Sequence, residues 1–449
     1  MKSKKIIDEN TKLFFLAGPI FVELLLNILI NNADTVMLGR FSQIAVGAVG
    51  NANQIMFLFI VMFNVIATAT NVIVAQYLGA KQEDKMNQIY TLSFAVNIVI
   101  GIVLSILIVL SSPFLFRLLK VPEEMMGDCI AYAKIVGSCL FLQAGFNVMV
   151  QILRCNGYTK VGMYISICVN LLNILGNWLF LYGPWKVLGL GVKGAAISTS
   201  FSRFVALTAA TIIFYVLKIG KLSLKTLRPF PFTLLWKELK IGLPTAGENM
   251  AYSLAQTILF SFINPMGSAA VNAKVMAQSL MNLNVAFSNS VAMATQIITG
   301  HLIGAEKEDA AYRRVMRSLL MTLPVTLILA SANCFLSPWS LKLFGATPDV
   351  IVIARQVMMV GIIMELGRTS NLIVIGSLKA AGDYIFPVVI GMLSMWVIGI
   401  SVGYISGVLF GLGAAGVFMG TMADEFLRGI IVIIRWIKGR WRNKSIVER

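Results

Sequence analysis

The chain has 449 residues, of which 58% are hydrophobic and only 13% charged, with a mean hydropathy of +0.82. A soluble domain carries roughly 25% charged residues, so the shell of water-facing side chains that a soluble protein of this size needs is missing. The net charge of +17 falls in the gaps between apolar runs, where it reads as a topology signal rather than as a nucleic-acid surface.

In chain order, the start Met1-Lys-Ser-Lys-Lys shows neither the short apolar core nor the cleavage site of a signal peptide, which predicts an uncleaved first helix. Apolar segments then fall at 12–38, 46–77, 88–113, 129–153, 162–183, 190–217, 236–263, 271–303, 316–338, 350–376, 385–408 and 413–436. Each is long enough to cross the hydrocarbon, which takes about 20 apolar residues. The reading is an all-α integral membrane protein of twelve transmembrane helices. The five cysteines have no CxxC spacing, and the single histidine is His301. Disulfides and a histidine metal site are therefore not expected.

Basic residues concentrate at one set of connections: Lys2, Lys4 and Lys5; Lys81 and Lys85; Arg154 and Lys160; Lys218 to Lys240; Lys307 to Arg317; and the end of the chain. The positive-inside rule then places both termini in the cytoplasm of a plasma-membrane protein. The domains expected are an N-lobe at 1–220, a cytoplasmic linker at 221–235, a C-lobe at 236–437 and a basic tail at 438–449.

The two halves repeat. At an offset of 225 positions Pro19 meets Pro244, Glu23 meets Glu248, Asn64 meets Asn289, and Gly79-Ala80 meets Gly304-Ala305. About 18 of roughly 66 ungapped positions from 19 to 84 are identical. Six helices is an even number, so the two six-helix bundles are parallel repeats related by a pseudo-two-fold along the membrane normal. Transporters of this plan carry a substrate cavity between the halves near the midplane.

Polar residues inside apolar spans face cavities or one another. Glu23, Asn27, Asn31 and Asp34 share one face of the first helix, a stripe suited to a cation or a proton. Asn170, Asn173 and Asn177 lie in the fifth span, and Ser198, Thr199 and Arg203 in the sixth. Glu248 sits near the start of the seventh with no basic neighbour in sequence. Glu365 and Arg368 stand i, i+3 in the tenth, and Asp424, Glu425 and Arg428 do the same in the twelfth. The alternative reading of each pair is a salt bridge that only joins helices.

Several stretches together, in this order on twelve helices, resemble the multidrug and toxic compound extrusion (MATE) family. They are Asn32-Ala-Asp34-Thr-Val-Met-Leu-Gly39-Arg40, Val74-Ala-Gln76-Tyr-Leu-Gly79-Ala80, Leu153-Arg154-Cys-Asn-Gly157, Gly194-Ala-Ala-Ile197 through Ser202-Arg203, and Glu365-Leu-Gly-Arg368 with Gly376-Ser-Leu-Lys379-Ala-Ala-Gly382-Asp383. The resemblance implies an antiporter driven by Na⁺ or H⁺ that exports bulky organic cations, with no further cofactor. It puts the first-helix carboxylate on Asp34 and its fifth-helix partners on Asn173 and Asn177, where the family's second carboxylate has become Asn. Thr199 matches a sixth-helix hydroxyl. On the C-lobe side Glu248 falls one turn before the expected position, which holds Tyr252, and Glu365 three residues before another, which holds Arg368. The expected partners are small organic cations and the bilayer, not nucleic acid, and a monomer suffices to form the cavity. The alternatives are a flippase for lipid-linked sugars and a membrane-embedded lipid-modifying enzyme. The latter would need a polar catalytic loop, a DxD-type metal site or a reactive His or Cys, and none is visible.

Overall fold

The structure is a computed structural model that describes residues 7–119, 121–343 and 345–447, without the side chains at 31–33, 35, 43, 58, 65 and 66. Asn31, one of the stripe residues, thus lies outside the described residues. Among the described residues the chain forms twelve helical spans. The first six are α1 (Leu13–Phe41), α2 (Gln43–Gly79), α3 (Glu83–Leu118), α4 with α5 (Glu123–Ser138, Leu140–Cys155), α6 (Thr159–Leu181) and α7 (Gly191–Val216). The second six are α8 (Phe232–Ile263), α9 (Ser268–Gly304), α10 (Glu308–Leu343), α11 (Pro348–Ala380), α12 (Ile385–Leu393) with α13 (Ile400–Tyr404), and α14 (Gly413–Ile437). In a bilayer a backbone must satisfy its own hydrogen bonds, and helices do so within one segment.

The repeat is written into the backbone. α2 and α9 begin and end 225 positions apart, and so do α3 and α10. Lys81 and Glu306, at that same offset, both turn with positive φ (55° and 60°), as do Gly157 and Gly382. The repeat departs from itself at two spans. α4 and α5 meet at a 46° bend at Cys139, whereas the matching α11 runs unbroken. The span of α12 and α13 contains two π-helical stretches, Ser394–Gly399 and Ile405–Leu409, where the matching α6 is regular.

Two compact units form. The first takes in Val22–Leu78 and Gln82–Gly242, and the second takes in Ile7–Phe21, Gly79–Lys81 and Leu243–Arg449. Each has its own apolar core: Met56, Phe63, Ile108 and Val136 in the first, and Leu259, Met281, Val357 and Met364 in the second. The connection after α7 is not loose. Within the first unit Lys221 and Ser223 donate backbone N–H groups to Asn87 Oδ1 (2.7 Å) and Thr91 Oγ1 (3.2 Å) of α3, and Gln88 donates to the Thr226 carbonyl (3.1 Å).

The basic tail is anchored too. Trp441 is buried and stacks on Trp436 at 4.1 Å, Arg442 pairs with Asp309 (2.6 Å), and Lys444 pairs with Asp383 (2.7 Å). Asp309, at the start of α10, thus pairs with the tail while itself remaining exposed. His301 is buried, and its carbonyl lies so close to Gly79 that a Cβ there would stand 2.1 Å away.

Candidate functional site

The site grows from the polar face of α1. Asp34 is half-buried, and Asn177 of α6 donates its amide to Asp34 Oδ1 at 2.9 Å. One turn earlier on α6, the Asn173 amide lies 3.1 and 3.2 Å from the two Asp34 oxygens and 3.3 Å from Thr199 Oγ1 of α7. An ionised carboxylate only accepts, so the orientation that satisfies all partners turns the Asn173 nitrogen to Asp34 and its oxygen to Thr199. Asp34, Asn173, Asn177 and Thr199, 165 positions apart at their extremes, are therefore one cluster. Two observations set it apart chemically. No described Lys or Arg pairs with Asp34, and Asn177 Oδ1 is buried without a hydrogen-bond partner. An unpartnered carbonyl oxygen beside an unneutralised carboxylate, with further amide and hydroxyl oxygens, is the donor set of a small hard cation. The carboxylate alone equally suits a proton.

Sequence reasoning passed over Tyr132. This buried tyrosine of α4 lies within interaction range of Thr199, Asn53, Asp34 and Arg203. Its signal was hidden because a single Tyr in an apolar run reads as packing.

The rest of the stripe is arranged differently. Asn27 accepts from Asn170 at 3.1 Å. Glu23 is buried in an ion pair with Arg154 at 2.7 Å. The second unit holds a charge network: Arg368 meets Glu365 at 2.8 Å and Glu425 at 3.8 Å, and Arg428 meets Asp424 at 2.8 Å and Glu425 at 3.3 Å. Tyr252 lies within electrostatic reach of this network. Glu248 does have a basic partner, Lys379, at 2.7 Å. The expectation that it stands alone fails because that partner lies 131 positions away in sequence. Three of the network's polar atoms, Glu365 Oε2, Asp424 Oδ1 and Arg428 Nε, are buried without hydrogen-bond partners. Among the described residues no group of three His, Cys, Asp or Glu side chains is placed to hold a metal ion.

A duplicated six-helix unit with polar clusters buried inside apolar spans defines a class: a multi-span membrane transporter, not an enzyme. The MatE family model matches residues 19–179 and again 244–405, one match on each repeat. The uncharacterized transporter YisQ of Bacillus subtilis (strain 168) is 38% identical over 443 residues, 99% of this chain and 97% of that protein. A probable multidrug resistance protein NorM of Thermotoga maritima is 26% identical over 462 residues, 100% of this chain and 97% of that one. Among solved structures, an outward-facing multidrug resistance MATE family transporter of the MOP superfamily superposes with a TM-score of 0.90 at 19% identity, covering all of both chains. The chain belongs to the MatE family, and its twelve-helix, two-bundle layout is that family's fold.

Proposed function

We propose that this protein is a plasma-membrane antiporter that exports organic, mainly cationic, compounds by alternating access, driven by Na⁺ or H⁺ entering at Asp34. One observation carries the reading. Among the described residues, Asp34 is a carboxylate inside a membrane helix with no basic partner, beside the unpartnered carbonyl of Asn177. The carboxylates Glu248 and Glu365 are already neutralised by Lys379 and Arg368. A charge in a span is costly unless compensated, so Asp34 gains most from a mobile cation. The similarity to multidrug resistance proteins supports the drug-export half of the proposal.

In the cycle, a cation or proton neutralises Asp34 from the outside, α1 shifts or bends, and the substrate leaves outward; the emptied site then returns inward. Coupling follows because ion and substrate prefer different states. Both termini are cytoplasmic in this reading, and the monomer suffices.

The test is ethidium efflux in energised inverted vesicles, given a Na⁺ gradient alone and then a pH gradient alone. Efflux driven by one gradient and lost in Asp34→Asn is the expected result, and it names the ion. Efflux that survives in Asp34→Asn moves coupling to the Glu248 and Glu365 network. No efflux under either gradient, in folded protein, rules out export of this substrate type.

A further inference from the structure

Among the described residues six carboxyl side chains are buried: Glu23, Glu238, Glu365, Asp383, Asp424 and Glu425. Five of them have a basic partner: Arg154 for Glu23, Arg368 for Glu365, Arg435 and Lys444 for Asp383, and Arg428 for both Asp424 and Glu425. Glu238, on α8, has none, although it is only 1% exposed. Ser93 of α3 hydrogen-bonds its Oε1, and its Oε2 is buried without a partner.

The polar neighbours bring no positive charge to it. The adjacent Lys237 sends its ammonium to the Tyr77 hydroxyl at 3.4 Å, over the Tyr77 ring. On α3, one turn to either side of Ser93, the Tyr90 hydroxyl is engaged with Asn156 and the Asn97 amide donates to the Ala144 carbonyl. An isolated buried carboxyl takes up a proton instead of standing charged.

The position of Glu238 matters as much as its surroundings. α8 belongs to the first unit up to Gly242 and to the second from Leu243. Pro244 follows at once; it has no N–H to bond the Lys240 carbonyl, which makes this the weak point of the helix. The contact between Glu238 and Ser93 therefore fastens the segment of α8 that lies ahead of its weak point.

We propose that Glu238 is a proton-binding site distinct from Asp34. With the first part of α8 seated on α3, the carboxyl is neutral. When that segment moves off, water reaches the carboxyl, its O–H bond breaks and the proton passes to solvent. The proton binds one arrangement and not the other, so pH biases the position of α8. The consequence for transport rests on the antiporter reading, but the site itself does not.

The experiment is infrared difference spectroscopy of the reconstituted full chain across a pH titration, with Glu238→Gln, Ser93→Ala and Asp34→Asn beside the wild type. Glutamine keeps the neutral shape, so the Glu238→Gln variant is expected to fold. The wild type should show the C=O stretch of a protonated carboxyl that is missing in Glu238→Gln and retained in Asp34→Asn. In Ser93→Ala the band should shift in frequency. Ethidium efflux by Glu238→Gln should lose about one proton's slope from its pH dependence. A spectrum unchanged in Glu238→Gln overturns the proposal; loss of the band with an efflux profile identical to wild type keeps the site and overturns its link to transport. The infrared arm needs no substrate, so a protein that fails to export ethidium is still judged by it.

Discussion

At the scale of single residues, the decisive distinction is between buried charges with a partner and those without. Breaking a buried ion pair by removing one member costs about 3–5 kcal/mol, whereas removing both is often nearly neutral. Glu248→Gln is therefore expected to lower the thermal stability of the purified protein sharply, because Lys379 is left buried and uncompensated. Glu248→Gln with Lys379→Met should recover most of the loss, and melting in detergent measures both. Asn177→Asp makes a different point. Its amide lies 2.9 Å from Asp34, and two carboxylates at that distance share a proton rather than both ionise. The variant should sustain efflux under a pH gradient to more alkaline external pH than wild type; an unchanged efflux-versus-pH curve would count against Asp34 and Asn177 forming one site. The polar residues of this cluster were legible in the sequence, since Asn and Asp at helical spacing in apolar spans stand out. Their partners were less so. The spacing that unites Glu365 with Arg368 is three residues, but Lys379 and Arg154 each sit 131 positions from their carboxylates, and no local pattern marks such a distance.

At the scale of helices, the segments were readable because hydropathy and backbone satisfaction impose a similar length, but α10 starts at Glu308, eight residues before the expected 316, because its polar first turns extend beyond the apolar run. Close packing was not read, although the signal was present. Gly399, Gly403 and Gly407 recur every fourth residue along one span, and Gly416 and Gly420 do so along α14. Small residues at that spacing let membrane helices approach backbone to backbone. A Cβ added at Gly420 would stand 2.2 Å from the Gly399 carbonyl oxygen and 2.7 Å from Gly403 Cα. Both are backbone atoms that no rotamer change can move. Gly420→Ala should therefore destabilise the protein by about 1–3 kcal/mol, in the range of overpacked cores. The same change at Gly18, with nothing within 4 Å of the added Cβ, should leave melting unaffected. Equal effects at the two sites would refute this packing argument. The bend at Cys139 and the two π-helical stretches were invisible in the sequence. The bend carries no proline, and the matching helices of the other repeat lack these features.

At the scale of the whole chain, the duplication that the sequence shows at an offset of 225 does not translate into two independent halves. Ile7–Phe21, at the beginning of the chain, belongs to the second unit, and the segment from Gln82 to Gly242, which runs past the midpoint, belongs to the first. A cut at the exposed Arg228-Pro229 junction thus leaves neither fragment with a whole unit. The first fragment lacks 229–242, including Glu238 against Ser93 and Lys237 against Tyr77. The second lacks Ile7–Phe21, which holds Arg314 through the Thr11 carbonyl at 2.7 Å and Lys307 through Glu9 at 3.6 Å. Exposed loop tips tolerate nicking when the contacts of the flanking backbone survive. Residues 1–228 and 229–449 expressed from separate genes should therefore be degraded when made singly. Made together they should accumulate in the membrane fraction and restore ethidium efflux. Accumulation of either fragment alone to the level of the intact chain, with the same protease resistance, would show that each half completes its own unit, and that the exchange of end segments is not what holds the fold.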